Sequence, residues 1–227
     1  MKLQSLLLSI TFIIIGWGTI YAQNSSDTRS KSIENKLGAE FNIPLGKNGK
    51  HSLSPSIRSV FSDHRKSDNI SSYTGNEVEL CYTYSPWSFM SFSADAEVDF
   101  TRGGETILCA YLSANPKYTY KRFTVYGEFK FSSSRRMSYH DHLTDPHFNY
   151  MAGVKVEAIK DVMSISAQCT FPHNIQDNSI EKYKLKLKLN ITISSHIYLA
   201  LSHEVAQDFK NIERTHINNF TFGYNFL

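Results

Sequence analysis

The amino-acid sequence predicts an all-β protein built from long amphipathic strands, and three observations support this fold class. Apolar and polar residues alternate from Lys182 to Ser194, the pattern of a strand with one apolar and one polar face. Ten further segments have the composition of strands, and most keep the same alternation. After the first 22 residues, no stretch is apolar enough for a transmembrane helix.

The first 22 residues have the pattern of a secretory signal peptide. Lys2 provides a short basic region, an apolar core runs from Leu6 to Ile15, and Ala22 is a suitable cleavage position. The alternative is a membrane anchor, but the apolar core is shorter than the roughly 20 residues that a spanning helix prefers. We therefore predict a cleaved signal peptide at 1–22, a polar segment at 23–35 and a single domain at 36–227.

Eleven strands are predicted within this domain. In the fourth, apolar residues from Met90 to Phe100 alternate with Ser91, Ser93, Asp95, Glu97 and Asp99. The predicted strands are Lys36–Leu45, Ser52–Ser62, Thr74–Tyr84, Ser88–Thr101, Thr106–Ala114, Tyr118–Phe131, Phe148–Ile159, Val162–Phe171, Lys182–Ile193, Ile197–Gln207 and Ile217–Leu227.

The predicted connections alternate between short and long. Residues that favour turns mark the short ones, at Gly46–Gly49, Ser85-Pro86, Asn115-Pro116, Lys160-Asp161 and Ser194-Ser195. Longer polar links are predicted at Asp63–Tyr73, Ser132–His147, Pro172–Glu181 and Asp208–His216, with Arg102–Glu105 as the short exception.

Strand length and the end of the chain resemble bacterial outer-membrane β-barrel proteins. The strand from Lys182 has at least the nine to eleven residues that a tilted strand needs to cross a bilayer. At the C-terminus, Phe220, Phe222, Tyr224 and Phe226 alternate, as in the last strand of such barrels, although Leu227 rather than an aromatic residue ends the chain. The resemblance covers essentially all of the mature chain.

The resemblance implies a closed, antiparallel, up-and-down transmembrane β-barrel of 10 to 12 strands. It also implies export to the bacterial outer membrane, contact with its lipid and lipopolysaccharide, short periplasmic turns and longer outer loops. Since single-chain bacterial barrels have even strand numbers, the eleven predicted segments favour twelve strands over ten. The twelfth strand is then expected within Asn24–Asn35.

Charges on the predicted polar faces are segregated. Acids are concentrated on the third and fourth strands and lysines on the ninth, and closing the sheet would bring these walls across a narrow lumen. We expect them to neutralise one another there, since like charges on adjacent strands repel. The acids are Glu77, Glu79, Asp95, Glu97 and Asp99; the lysines are Lys182, Lys184, Lys186 and Lys188; Arg58, Arg122, Glu128, Lys155 and Glu157 are expected to join them.

Two segments are candidate chemical sites. The loop from Tyr139 to His147 contains three histidines and two aspartates, which are possible zinc ligands, but a flexible connector is favoured. Arg135 and Arg136 just before it are candidate contacts for lipopolysaccharide phosphates.

The residue types of a lipid-modifying barrel enzyme occur together in Ser202-His203-Glu204. Neighbours on a strand point to opposite faces, so these three do not make a hydrogen-bonded triad. The odd cysteine count, Cys81, Cys109 and Cys169, is interpreted as packing residues. No catalytic residue, cofactor or metal is predicted.

The favoured function is a non-enzymatic outer-membrane barrel with a narrow charged lumen, acting in envelope structure, surface interaction or limited small-solute passage. The formal charge of +3, or about +2 without Lys2, predicts no nucleic-acid partner. The alternatives are a lipid- or peptide-modifying barrel enzyme and a soluble exported β-barrel that binds a small ligand.

Overall fold

A computed structural model describes residues 31–46, 48–64, 72–137, 146–180, 182–209 and 214–226. These residues form one sheet of twelve strands. Within them, no helix has the length and apolar character needed to span a membrane. The strands are β1 (Lys31–Leu45), β2 (His51–His64), β3 (Ser72–Trp87), β4 (Met90–Thr101), β5 (Thr106–Tyr120), β6 (Phe123–Arg136), β7 (His147–Ile159), β8 (Met163–Asn174), β9 (Ser179–Ile180), β10 (Lys182–Thr192), β11 (Ile197–Asp208) and β12 (Arg214–Asn225).

The sheet closes into a barrel whose wall contains eleven strands. Consecutive strands from β1 to β8 pair with one another, β10 pairs with both β8 and β11, and β12 pairs with both β11 and β1. The two-residue strand β9 pairs only with the end of β8 and lies outside this ring. The predicted all-β, closed, up-and-down barrel is therefore confirmed.

The strands that close the ring, β1 and β12, are parallel, whereas every other pair is antiparallel. Closure by an antiparallel pair was expected. In an up-and-down ring the strand direction reverses at every step, so an odd number of strands leaves one pair running the same way. The predicted twelfth strand within Asn24–Asn35 is not separate in its described part, because residues from Lys31 onward belong to β1.

The barrel has two different rims. The ends of β1, β3, β5, β7, β10 and β12 define the short-turn rim, named for the short stretches of sequence that follow the first five of these strands. The ends of β2, β4, β6, β8 and β11 and the beginning of β1 define the long-link rim, named for the mostly longer stretches of sequence that follow these strand ends.

Two predicted turns are wrong. Strand β3 continues through Ser85-Pro86 to Trp87, and β5 continues through Asn115-Pro116 to Tyr120. The pairing of β5 with β6 omits Asn115 and Pro116, so the missing N–H of the proline removes no ladder bond there. The turn lies instead at Lys121, whose φ of 54° is the left-handed conformation of a tight connection.

The distribution of polar and apolar side chains is inverted relative to an ordinary soluble protein. Among the described residues no large side chain is fully buried, and the buried apolar residues are Cys109, Ile191 and Ala200. Large apolar residues are exposed on the outer face, as Leu112 (61%) and Leu185 (49%) illustrate. The charged residues between them point inward, so the interior is polar.

An inward tyrosine covers a glycine on the strand beside it. Tyr198 on β11 is the register partner of Gly223 on β12, and a Cβ added to Gly223 would lie within 1.9 Å of the tyrosine ring. Asn42 on β1 donates a hydrogen bond to the Tyr198 hydroxyl at 3.2 Å and another to Asn225 at 2.9 Å. The tyrosine therefore connects β11 to the closing pair through the space that the glycine leaves.

We predict that Gly223→Ala destabilises the barrel by about 1–3 kcal/mol, because the added methyl displaces the Tyr198 ring and breaks its hydrogen bond to Asn42. Urea-induced unfolding of the refolded protein in detergent would measure this change. Gly103→Ala is the matched control, since an added Cβ there meets only a Thr101 hydroxyl at 4.0 Å. Equal unfolding midpoints for the two variants would contradict the prediction.

Candidate functional site

The candidate site is the lumen of the barrel, and strand alternation determines which side chains enter it. On β4, Asp95, Glu97 and Asp99 are less exposed than their neighbours Ala94 and Phe100. Because side chains alternate between the two faces of a strand, these acids point inward and the apolar neighbours point outward. The same rule assigns Glu77 and Glu79 on β3 to the lumen.

These five inward carboxylates form a continuous acidic wall across β3 and β4. Their side chains are partly or largely enclosed, with exposures of 12% for Glu77, 18% for Glu79 and 8% for Asp95. Register places Glu77 beside Asp99 and Glu79 beside Glu97, an arrangement that is repulsive without nearby bases. The acidic wall consists of Glu77, Glu79, Asp95, Glu97 and Asp99.

Bases on the strands flanking the acidic wall compensate part of its charge. Arg58 on β2 donates a hydrogen bond to Glu79 at 2.6 Å and lies 3.7 Å from Glu77. Lys36 on β1 forms a direct ion pair with Glu77. The side chain of Arg58 has room because Gly38 is its register partner, and a Cβ there would lie 2.7 Å from the Arg58 Cγ.

On the other flank, Lys130 of β6 reaches the acidic wall. Its Nζ lies 3.9 Å from Asp95 and 3.8 Å from the centre of the Tyr111 ring. The ammonium therefore combines an ion pair with a cation–π contact. Among the described residues, three bases from three different strands thus form ion pairs with the acidic wall.

The inward lysines of β10 form the second charged feature of the lumen. Lys184 and Lys186 both pair with Glu204 on β11, at 3.7 and 4.0 Å. Lys188 forms no ion pair with any residue that the structure describes. We call Lys184, Lys186 and Lys188 the lysine row.

The predicted direct pairing between acidic wall and lysine row is wrong. Each group takes its partners from nearby strands instead: Lys36, Arg58 and Lys130 for the wall, and Glu204 for the row. Eleven tilted strands make a ring roughly 20 Å across, too wide for opposite side chains to meet. Arg122, expected in this network, lies exposed in the turn after β5.

Three acids of the wall approach one another closely. One carboxylate oxygen from each of Glu77, Glu97 and Asp99 lies within 4.8 Å of the others, a spacing compatible with a hard divalent cation. Lys36 and Arg58 already occupy Glu77, so we assign no metal here. Glu97 and Asp99 form no ion pair with a described residue.

The segment Ser202-His203-Glu204 is divided between the two faces, as predicted. Glu204 points inward to the lysine row, whereas His203 pairs across the outer face with Asn218, at 2.8 Å. Asn218 in turn donates to Asn35 on β1 at 3.0 Å. The three residues therefore do not form a triad. Sequence reasoning missed this outward polar network because its members come from three strands.

The other candidate residues lie near the rims or in the wall. Residues 139–145 of the histidine-rich loop lie outside the described residues. Arg135 and Arg136 are exposed at the long-link rim, and Arg135 is the register partner of outward Leu108. Among the described residues the three cysteines are free: Cys109 is buried, and Cys81 and Cys169 are partly exposed.

No family model matches this chain, and no curated protein matches it. Among solved structures, it is similar to a protein described as a bacterial polysaccharide outer membrane secretin, with a TM-score of 0.45 and 9% identity over 75% of this chain and 66% of that chain. It is also similar to an anion-selective porin from Comamonas acidovorans, with a TM-score of 0.36 and 12% identity over 70% of this chain and 48% of that chain. Both TM-scores are too low for these likenesses to support an inference about function.

We predict that Arg58→Gln lowers the free energy of unfolding by about 1–3 kcal/mol, because Glu77 and Glu79 lose a largely enclosed partner. Urea unfolding in detergent would measure the loss. Arg122→Gln, in an exposed turn, should leave the midpoint unchanged. Adding Glu79→Gln to Arg58→Gln should restore part of the lost stability, and failure of this rescue would argue against an electrostatic cause.

Proposed function

We propose that this chain is a bacterial outer-membrane β-barrel that spans the bilayer and allows limited passage of small polar solutes through its charged lumen. The observation that carries the proposal is the inverted polarity of the barrel. An outer face of exposed leucine, valine, isoleucine and phenylalanine side chains is costly in water but favourable in hydrocarbon.

The dimensions and rims of the barrel support the membrane assignment. The wall strands have 11 to 16 residues, which meets the nine to eleven needed for a tilted strand to cross a bilayer. Exposed aromatic side chains occur towards both rims, as expected for the interfacial girdles of membrane barrels. Trp87 and Tyr118 lie towards the short-turn rim, and Tyr73 and Phe171 towards the long-link rim.

The width and the chemistry of the lumen favour solute passage rather than a purely structural role. Eight-stranded barrels are filled by side chains, whereas porins of 16 to 18 strands hold an open channel. A wall of eleven strands lies between these cases in size, although its odd number departs from the even numbers of single-chain bacterial barrels. A lysine such as Lys188, which has no ion-pair partner among the residues that the structure describes, requires water nearby.

Orientation follows from the two rims. In membrane barrels short turns face the periplasm and longer loops face outward, so we assign the long-link rim to the cell exterior. Arg135 at that rim would then lie at the height of lipopolysaccharide phosphates, which a guanidinium binds well. The lumen and the outer face also disfavour a soluble ligand-binding barrel, which would bury its apolar residues inside.

We predict that the chain fractionates with outer membranes and requires detergent for extraction. Its unboiled sample should migrate differently from the boiled one on a denaturing gel, because a closed barrel resists unfolding by detergent. Recovery of the chain as a detergent-free, monodisperse protein in buffer would refute the membrane assignment.

We further predict that the chain forms small conductance steps in planar bilayers and that Ala206→Trp reduces them. Ala206 is the register partner of inward Lys184, so the indole would enter the lumen. Val205→Trp is the matched control, because Val205 pairs with outward Leu185 and its indole would enter lipid. Silence of the native chain would refute passage, and equal loss in both variants would show that the lumen is not the path.

A further inference from the structure

The two charged features of the lumen lie on opposite sides of the barrel. Going around the ring from β10 in one direction, four strands (β11, β12, β1 and β2) precede β3. In the other direction, four strands (β8, β7, β6 and β5) precede β4. The lysine row therefore faces the boundary between β3 and β4, which is the middle of the acidic wall.

Both features keep an excess of charge after local pairing. Among the described residues, three bases (Lys36, Arg58 and Lys130) form ion pairs with the five acids of the wall. The three lysines of the row share one ion-paired carboxylate, Glu204. No other carboxylate among the described residues lies within ion-pair distance of the row. One side of the lumen is thus negative and the opposite side positive.

The two features also lie at the same height in the barrel. The pairing register runs from Lys188 on β10 through β11 and β12 to Lys36 on β1. Lys36 and Arg58 are the two bases that contact Glu77. The lysine row and the acidic wall therefore define one level at which an electric field runs across the lumen rather than along it.

We propose that this level of the lumen selects dipolar solutes, meaning net-neutral molecules that carry an ammonium group at one end and an acidic group at the other. This inference rests on the proposed function, because it names the solute class that the lumen would pass. The acidic end would face the lysine row and the ammonium end would face the acidic wall.

Elementary electrostatics explains the selection. A solute with a single charge gains only beside the wall of opposite sign. A neutral polyol gains nothing from the field. A dipolar solute gains at both ends when it lies across the lumen, and the gain increases with the distance between its charges. Low-dielectric walls around a narrow lumen strengthen such a field.

Liposome swelling tests the proposal, because dipolar and uncharged solutes can be compared without a membrane potential. The probes are γ-aminobutyrate and ε-aminocaproate, each compared with an uncharged polyol of similar size, erythritol and xylitol. We expect ε-aminocaproate to enter roughly three- to fivefold faster than xylitol in the native chain, with a smaller ratio for the shorter pair.

Two variants each neutralise one side of the lumen. Lys184→Gln/Lys186→Gln/Lys188→Gln removes the row, and Glu97→Gln/Asp99→Asn removes the uncompensated acids with almost no change of shape. Lys121→Gln/Lys160→Gln is the control, because both lysines are exposed in turns at the short-turn rim. Heat-modifiable migration on a gel verifies that each variant folds. If the triple lysine variant does not fold, the Glu97→Gln/Asp99→Asn variant still tests the proposal, because its substitutions hardly change side-chain shape.

The inference is supported if either folded variant loses the faster entry of ε-aminocaproate relative to xylitol. Xylitol entry and KCl conductance must be retained in that variant. A native ratio near one, or a ratio that neither variant changes, overturns it while leaving solute passage intact. Absence of swelling with every probe together with absence of KCl conductance refutes the proposed function, and the inference with it.

Discussion

Backbone pairing between β1 and β12 is the interaction on which the rest of the structure depends. Twelve consecutive residue pairs, from Lys31–Arg214 to Asn42–Asn225, join the first and last strands. Without this pair the sheet would be open, with two unpaired edges and no distinction between lumen and exterior. A closed ring satisfies its own strand edges, so its outer face can be largely apolar.

Side-chain hydrogen bonds reinforce the closing pair on both faces. Asn42 and Asn225 meet on the inner face at 2.9 Å, and Asn35 and Asn218 meet on the outer face at 3.0 Å. Polar side chains are unusual on the outer face of this barrel, and here their donors and acceptors are directed to one another. Parallel pairing is slightly less stable per residue than antiparallel pairing. These hydrogen bonds therefore stabilise β1–β12, the parallel pair of the ring.

Strand positions were largely predictable from the sequence, because a period of two survives wherever one face is polar and the other apolar. Asp95, Glu97 and Asp99 alternate with Ala94, Ala96 and Val98, and their inward direction follows from that alternation alone. Residues that favour turns predicted the connections less well. Pro116 was predicted to end a strand, but β5 continues because no residue of β6 pairs with Pro116, so the missing N–H of the proline breaks no backbone hydrogen bond there. The parallel closure is also invisible locally, since it depends on the number of strands.

The charge partners were not predictable for a different reason. Alternation shows that Glu79 and Lys186 both face the lumen, but it does not give the width of the ring between them. Arg58 reaches Glu79 because their strands are adjacent and Gly38 leaves space, and both conditions require the register. The outward contact of His203 with Asn218 likewise joins residues fifteen positions apart.

The width of the ring prevents ion pairs between the lysine row and the acidic wall. The same width therefore leaves an electric field across the lumen. Had the ring been narrow enough for Lys186 to reach Glu97, the opposite charges would have cancelled in ion pairs. Here each side is only partly neutralised by its own neighbours, so Glu97, Asp99 and Lys188 are left without an ion-pair partner among the described residues. Isolated charges are stable only where water solvates them. A hydrated lumen is therefore what the uncompensated charges require, and hydration is also the first condition for passing a polar solute.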